Sequence, residues 1–223
     1  MTAARSRMVQ QPLPFMPVLG DATISECGMY RYTLSRSLDH LGVNSPITTE
    51  GIRRRRCLFV MLNPSVADAL VNDPTIEKII KFARELRLAT SSDGTDFELR
   101  QHHVLDVGNL YAYRATDPKE LRRAAAQDVL GLGTRIIGPD NDVHLSRMAY
   151  GAETVVIGWG ANSPLPERAG EVINLLRAAQ ARRFGVRHEE TTLYCLKQNK
   201  DGSPIHPLYQ RDDSQFVPYV EPA

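Results

Sequence analysis

Short apolar runs that alternate with helical patterns restrict the fold of this chain more than any other feature of its sequence. Four runs rich in β-branched and apolar residues predict buried strands, at residues 57–62, 103–107, 154–157 and 192–196. Helical patterns occupy the intervals, at residues 74–88, 118–127, 140–150 and 167–184. Because strands that alternate with helices form sheets covered on both faces, the sequence predicts a three-layer α/β/α fold with a mainly parallel four-stranded central sheet.

The remaining segments predict a single domain. Residues 21–211 form the α/β domain, between an extended N-terminal arm at 1–20 and a C-terminal tail at 212–223. Residues 29–34 alternate enough to predict an additional antiparallel strand at an edge of the sheet, and residues 89–101 predict a surface insertion. The length of 223 residues, 42% of them hydrophobic, suits one sizeable core.

Composition excludes several classes of protein. A formal net charge of +1 excludes a strongly basic protein but allows a local basic patch. The longest apolar run is far shorter than the roughly 20 residues that span a bilayer, and no signal-peptide core is visible, so we expect a cytoplasmic protein without membrane contact. The cysteines, Cys27, Cys57 and Cys195, form no CxxC pair, so we expect no zinc or iron–sulfur site. We also expect an activity that needs no metal or other cofactor.

The predicted architecture sorts the candidate functional residues by position, because ligands of open α/β sheets bind outside the carboxyl ends of the strands. The segments that follow the four predicted strands are 63–68, 108–114, 158–162 and 197–209. The arginine run at 53–56 precedes the first strand, so it should lie at the opposite edge as a solvated surface or a secondary backbone contact.

Asn63-Pro64-Ser65 follows the first strand directly. The Asn63 amide can hydrogen-bond a nucleobase edge or position a water, although an amide is a poor general base. An ordinary Asn-Pro turn is the alternative. Asp68 could hold Mg²⁺ or orient the loop, whereas Asp73 is predicted to cap the helix that begins at Pro74.

The second strand leads into Asn109, Tyr111, Tyr113 and Arg114. Asn109 can pair with a base through a donor and an acceptor together, the tyrosines can stack on it, and Arg114 can bind a phosphate. Packing is the alternative for each tyrosine, and a solvated charge is the alternative for Arg114.

Two further segments complete the predicted site. Gly158-Trp159-Gly160 permits close backbone approach at the end of the third strand, although Trp159 itself is predicted to pack. The stretch 139–142, Pro-Asp-Asn-Asp, predicts a helix cap. His206, between two prolines after the last strand, could donate to an oxygen where negative charge develops, and Lys197 and Lys200 could steer a polyanion.

Taken in order, these segments resemble the motif series of the uracil-DNA glycosylase superfamily: Leu62-Asn63-Pro64-Ser65, Val107-Gly108-Asn109-Leu110, Ile157-Gly158-Trp159-Gly160 and Ser203-Pro204-Ile205-His206-Pro207. The motifs Leu-Asn-Pro-Ser-x-Ala-Asp, Asn-Leu-Tyr-Ala-Tyr-Arg-Ala-Thr-Asp-Pro, Gly-Pro-x-Asn-Asp and His-Pro-Leu-Tyr more closely resemble a bacterial and phage family of unknown function, over about 30–209. Asn63 stands where the most active branches of the superfamily have an acidic residue.

The superfamily resemblance implies a role for each candidate residue. Asn63 and His206 would be catalytic, the first by positioning water and the second by stabilising charge on the departing base. Asn109 would read a base that is flipped out of the helix, beside Ser65 and Tyr111. The backbone of the nucleic acid would lie on the residues Arg114, Lys197, Lys200 and Ser203.

The sequence therefore predicts a nucleic-acid-directed N-glycosylase-like hydrolase that acts on an unidentified, modified or unmodified base in DNA, in repair or modification. A binding module that recognises a nucleobase without chemistry is one alternative. A hydrolase of free nucleotides or nucleosides is another, and the neutral bulk charge is compatible with it.

Overall fold

The computed structural model describes residues 19–90, 96–131 and 135–222, and these form an α/β fold around a mixed sheet. The strands are β1 Gly20–Ile24, β2 Arg31–Ser37, β3 Arg56–Met61, β4 Leu86–Ala89, β5 Phe97–Arg100, β6 Val104–Asn109, β7 Thr154–Ile157, β8 Tyr194–Cys195 and β9 Val217–Pro218. The α-helices are α1 Pro74–Arg84, α2 Pro118–Val129, α3 Asn141–Gly151 and α4 Arg168–Phe184.

Among the described residues the main sheet has seven strands, in the order β1-β2-β6-β3-β7-β8-β9. The four predicted strands are β3, β6, β7 and β8, and wherever two of these four pair with each other the pairing is parallel. The prediction of a four-stranded sheet is nevertheless too small, because β1 and β2 extend one side and β9 the other, all by antiparallel pairing. The half-exposed strand β1 covers β2, which is therefore not the edge strand that its sequence predicts.

Alternation along β3 divides the core between the two faces of the sheet. Leu58 and Val60 pack in one hydrophobic cluster with side chains of α2, α3 and α4. Phe59 and Met61 pack in the other, with side chains of α1. Successive side chains of a strand point to opposite faces, so helices cover both faces, as predicted. None of the described helices is long and apolar enough to cross a membrane.

Helix α1 begins where the sequence predicts it and ends earlier. The Asp73 side chain accepts a hydrogen bond from Ile76 N at 2.8 Å, which confirms the predicted cap, and Pro74 occupies the first turn. The chain leaves the helix before the predicted end at residue 88, because Leu86 and Leu88 turn inward with strand periodicity in β4. Strand β5 pairs with β4, so the predicted insertion is partly a hairpin; its residues 91–95 lie outside the described residues.

The residues predicted as a C-terminal tail contribute to the core. Phe216 is fully buried, and its ring meets Phe59 and Phe82 edge-on at centroid distances of 5.9 and 5.2 Å. The following residues, Val217–Pro218, pair with β8. An isolated aromatic residue followed by a two-residue strand gives no periodic signal, which explains the error. Of the predicted N-terminal arm, residues 1–18 lie outside the described residues.

The arginine run at the opposite edge is only partly solvated. Arg54 is 5% exposed and donates to Asp39 at 2.7 and 3.1 Å. Arg56 makes a bidentate pair with Asp106 at 2.6 and 2.8 Å. Of the four arginines, only Arg53 and Arg55 are exposed and match the prediction of a solvated edge. Alternate side chains of an extended segment face inward, which explains why Arg54 and Arg56 do not.

Candidate functional site

A pocket of about 480 Å³ opens at the carboxyl ends of the parallel strands β6, β3 and β7. The loops that follow these strands line it, together with the start of α1 and a short 3-10 helix at Pro207–Tyr209. Four of the predicted site residues line this pocket, namely Asn63, Ser65, Asn109 and His206. The position that the sequence predicts for a ligand site thus contains a pocket.

Asn109 is the last residue of β6 and is 1% exposed, yet neither its Oδ1 nor its Nδ2 has a hydrogen-bond partner within the described residues. Its backbone is held firmly, because the Asn141 side chain donates to the carbonyls of Asn109 at 3.0 Å and Leu110 at 3.2 Å. A buried polar group without a partner costs about 1–3 kcal/mol, so such groups call for an explanation. A ligand with both an acceptor and a donor would satisfy this amide.

The stretch 139–142 connects helix α3 to the end of β6 and to Arg168. The prediction that it caps α3 is wrong for the side chains, because Asp140 makes no capping hydrogen bond. Asn141 instead ties α3 to the end of β6, as described above, and Asp142 pairs with the buried guanidinium of Arg168. Arg168 in turn donates to Leu110 O at 3.0 Å. These contacts hold the backbone on which Asn109 is mounted.

Asn63 is fixed by its own amide group. Its Nδ2 donates to Ala115 O at 2.8 Å and to Pro64 O at 3.1 Å, and Ala115 N donates in return to Pro64 O at 2.9 Å. Because the amide is planar, two bonds on Nδ2 also fix the direction of Oδ1. This oxygen has no hydrogen-bond donor among the described residues, so it can accept one from a water or a ligand in the pocket.

Two glycines bring His206 to the pocket. A Cβ atom on Gly158 would lie 3.2 Å from Pro207 Cδ, and Gly160, with φ of +76°, donates from its N to Pro204 O at 2.9 Å. The close approach predicted for this glycine pair is confirmed, and the group that approaches is the turn that carries His206. The predicted packing of Trp159 is also confirmed, since it is 2% exposed in the core.

The ring of His206 presents a donor at neutral pH. Its Nδ1 accepts a hydrogen bond from Leu208 N at 3.3 Å, so the neutral ring carries its proton on Nε2. Burial lowers the pKa of His206 below its usual value, and the nearby Asp73 carboxylate opposes this shift only in part. The imidazole is therefore mainly uncharged at pH 7, with Nε2–H as a neutral hydrogen-bond donor.

Two charged residues that line the pocket were not predicted as site residues, Arg31 and Asp73. Arg31 is 2% exposed, and although burial lowers its pKa to about 10, the guanidinium stays charged at neutral pH. Asp73 caps α1 and also lines the pocket, so its carboxylate is available to both. The closeness of Asp73 to Asn63 in the sequence was a signal that it could line the pocket as well as cap the helix. The sequence around Arg31 gave no such signal, because the orientation of this side chain depends on an irregularity in β2.

Other predicted residues lie away from this pocket. Tyr111 is fully buried, and its hydroxyl bonds to Ser163 Oγ at 2.7 Å, which anchors the loop after β7. Ser203 donates to Asp201 Oδ1 at 2.6 Å, and Lys197 and Lys200 are exposed on the same loop. The structure therefore does not bring these residues together with Asn109.

Two more predicted residues contact the loops around the pocket. Arg114 is half-buried and donates to Gly28 O at 3.2 Å. Asp68 accepts hydrogen bonds from Leu70 N at 2.8 Å and Val71 N at 2.9 Å, and these bonds lower the pKa of its carboxyl group. Of the two roles predicted for Asp68, orientation of the loop is the one that these contacts support. Within residues 19–90, 96–131 and 135–222, no group of three or more His, Cys, Asp or Glu side chains could hold a metal ion.

Comparison with known proteins gives one match. The family model described as "Protein of unknown function (DUF1643)" matches residues 31–208, which is most of the chain. No curated protein and no solved structure matches the chain. The matched range begins at Arg31 and includes Asn63, Asn109 and His206.

Proposed function

We propose that this chain, which belongs to the DUF1643 family of proteins of unknown function, is a nucleic-acid-directed N-glycosylase-like hydrolase that removes a base from DNA. The observation that carries the proposal is the buried amide of Asn109 in a pocket at the carboxyl ends of the strands, where its donor and its acceptor both lack partners within the described part of the chain. An amide presents one donor beside one acceptor, which is the pattern that pairs with the edge of a nucleobase.

Burial of Asn109 requires the base to leave its stack. A side chain that is 1% exposed cannot reach a base inside a duplex, whereas a base turned out of the helix can enter the pocket. The resemblance to the uracil-DNA glycosylase superfamily supports the same mode of binding. The residues of its motifs that matter most, Asn63, Asn109 and His206, come from three distant parts of the chain and line one pocket.

The side chains around the pocket suit the cleavage of a glycosidic bond by water. Asn63 Oδ1 would accept a hydrogen bond from the attacking water and thereby position it. The Asp73 carboxylate would take a proton from this water as the water oxygen forms its bond to the sugar carbon. The bond from that carbon to the base nitrogen breaks, and its electron pair leaves with the base. His206 Nε2–H would donate to the base oxygen on which the charge develops.

The contacts to the nucleic-acid backbone are a separate part of the proposal. Lys197, Lys200 and Ser203 lie on one loop, and Arg114 lies in the segment that follows β6. Because phosphate contacts release counterions, binding should weaken as salt is raised. Alanine substitution of Lys197 and Lys200 together should reduce the salt dependence of DNA binding and leave the choice of base unchanged.

The test is base release from DNA that carries a panel of modified bases, with alkali cleavage of the abasic sites that form. Asn63→Ala and His206→Ala should each reduce release strongly. Asn174→Ala is the matched control, because this asparagine is exposed on α4 and does not line the pocket. Release that is unaffected by both pocket substitutions would remove the proposed mechanism.

One observation favours a second candidate, a nucleobase-binding module without chemistry. Both hydrogens of the Asn63 amide are engaged by backbone carbonyls, and an amide cannot take a proton from water as a carboxylate can. Affinity for modified DNA, without base release at high protein concentration and without any effect of Asp73→Asn, would support this module over the hydrolase.

A further inference from the structure

A bulge in β2 turns Arg31 towards the pocket. Thr23 of β1 pairs with Thr33, but the next residue, Ile24, pairs with Arg31, so Tyr32 is an extra residue in β2. An extra residue reverses the side on which the following side chains project. Without the bulge, Arg31 would project to the other face of the sheet.

Arg36 lies on the same strand, and each nitrogen of its guanidinium donates a hydrogen bond. It is 1% exposed, and its Nε, Nη1 and Nη2 donate to Asn72 Oδ1 at 2.7 Å, to Ser35 O at 3.0 Å and to Val71 O at 3.1 Å. Arg36 does not line the pocket. Its donors are used to hold the loop between β3 and α1.

Arg31 is buried as deeply but has fewer partners. Its Nη1 donates to Ala67 O at 2.8 Å, and its Nε is buried without a partner within the described residues. None of the ion pairs between the described residues includes Arg31. A buried cation without an ion-pair partner is costly, so a group that enters the pocket with negative charge would stabilise it.

Asp73 and Asp68 act on Arg31 as opposite charges, whereas Arg114 and Arg36 act on it as like charges. Neither carboxylate forms an ion pair with Arg31, so an anionic ligand in the pocket can still form one.

We place this anion on the base. Arg31 at 2% exposure lies below the surface, so a group that enters with the base can reach it more readily than a phosphate of the nucleic-acid backbone. A substituent on the base travels inward with the ring. The volume of about 480 Å³ lies in the range of pockets that hold drug-sized ligands, so it leaves room for a ring with a substituent.

From these contacts we infer that the pocket selects a base with an acidic substituent, which Arg31 binds through its guanidinium while Asn109 pairs with the ring. The inference rests on the proposed function, because it assumes that a base occupies the pocket. Its substrate class is a nucleobase with an anionic group on the ring, and it makes Arg31 the residue that determines specificity.

The test compares two ligands of the same shape, 5-carboxyuracil and uracil-5-carboxamide, by calorimetric titration of the full chain. A charge-assisted hydrogen bond in a buried site should give the carboxylate a Kd at least about tenfold lower. Arg31→Met should abolish this preference and Arg31→Lys should keep part of it. Arg36→Lys is the matched control and should keep all of it, and thermal melting shows whether each variant is folded.

The comparison of the two ligands on the unsubstituted protein depends on no variant. Equal Kd values for the carboxylate and the carboxamide would overturn the inference and leave a base site in place. A preference that survives in Arg31→Met would overturn it as well. Tighter binding of uridine 5′-monophosphate than of 5-carboxyuracil would place the anion on the sugar phosphate, and binding of none of these ligands would count against the base site itself.

Discussion

At the edge where the parallel strands begin, Arg54 is buried and every nitrogen of its guanidinium donates a hydrogen bond. At the edge where they end, Asn109 is buried and its amide has no partner among the described residues. Both are polar groups in a low-dielectric environment, so both carry a desolvation cost. For Arg54 the protein compensates for this cost itself. For Asn109 we propose that a ligand does so.

This contrast separates structural from functional residues better than the sequence does. The arginine run is the most conspicuous charged feature of the chain, yet Arg54 and Arg56 hold the protein together. Asn109 and Arg31 are inconspicuous in the sequence, yet both amide atoms of Asn109 and Nε of Arg31 are buried without a hydrogen-bond partner among the described residues. Groups held for function commonly reduce stability, so substitutions at the two edges should have opposite signatures.

The largest expected effect on stability is at Arg54. Arg54→Met removes the partner of Asp39 and leaves carbonyl groups such as Ser45 O without their donor. Breaking a buried ion pair by removing one partner costs about 3–5 kcal/mol, so we expect a loss of about 3 kcal/mol in the free energy of unfolding in urea. A loss below about 1 kcal/mol would contradict the structural role of this edge.

Asn109→Leu should have the opposite signature. Replacing an unpartnered amide by an apolar group of similar shape is nearly neutral or stabilising, so the free energy of unfolding should change by less than about 1 kcal/mol. Base release should fall about 100-fold or more. Asn141→Leu is the comparison, because its amide holds two carbonyls and its loss should cost about 1–3 kcal/mol. Undiminished release by Asn109→Leu would show that this amide does not read the base.

Asp73→Asn separates the two roles of Asp73. Asparagine caps a helix about as well as aspartate, so stability should stay within about 0.5 kcal/mol of the unsubstituted protein. This variant lacks the carboxylate that acts as the general base, so release of the nucleobase should fall by about 10²-fold or more. Asp73→Ala should in addition lose about 1 kcal/mol of stability with the cap. If Asp73→Asn retains full release, the proton of the attacking water goes elsewhere.

Much of the fold follows from the sequence, because β3, β6 and β7 are short runs rich in apolar and β-branched residues, which is the pattern of buried parallel strands. Strands β1 and β9 were missed because one is half-exposed and the other has only two residues. In the site, strand ends can be predicted and side-chain partners cannot. Tyr111 and Asn109 are near neighbours in the sequence, and only the hydroxyl bond to Ser163 shows that the tyrosine is structural.

The role of Arg31 could not be predicted for a different reason. A single extra residue in β2 decides which face of the sheet its side chain reaches, and the alternation of the sequence does not mark the bulge. The pairing of β2 with β6 then places this side chain next to the end of the strand that carries Asn109. Register is a property of two strands together, so one strand's pattern does not reveal it.

The smallest expected effect concerns the pH dependence of His206. Because burial lowers its folded pKa, the unfolded chain binds more protons than the folded one at pH values between the folded pKa and about 6.5, so stability falls as the pH is lowered through this range. His206→Gln should lose less stability between pH 7 and pH 5 than the unsubstituted protein does, by urea titration at each pH. At the opposite edge, burial lowers the pKa of His102 to about 4, so His102→Gln should reduce the acid loss as well.

Base release distinguishes these two histidines where stability does not. His102 contacts Thr154 at 3.1 Å and does not line the pocket, so its substitution should leave the pH profile of release unchanged in a protein that is still folded. His206 should be required in its neutral form, which donates from Nε2 while Leu208 N occupies Nδ1. Release should therefore decline on the acid side as His206 becomes protonated. An acid limb that persists in His206→Gln would assign the titrating group elsewhere and remove this histidine from the proposed mechanism.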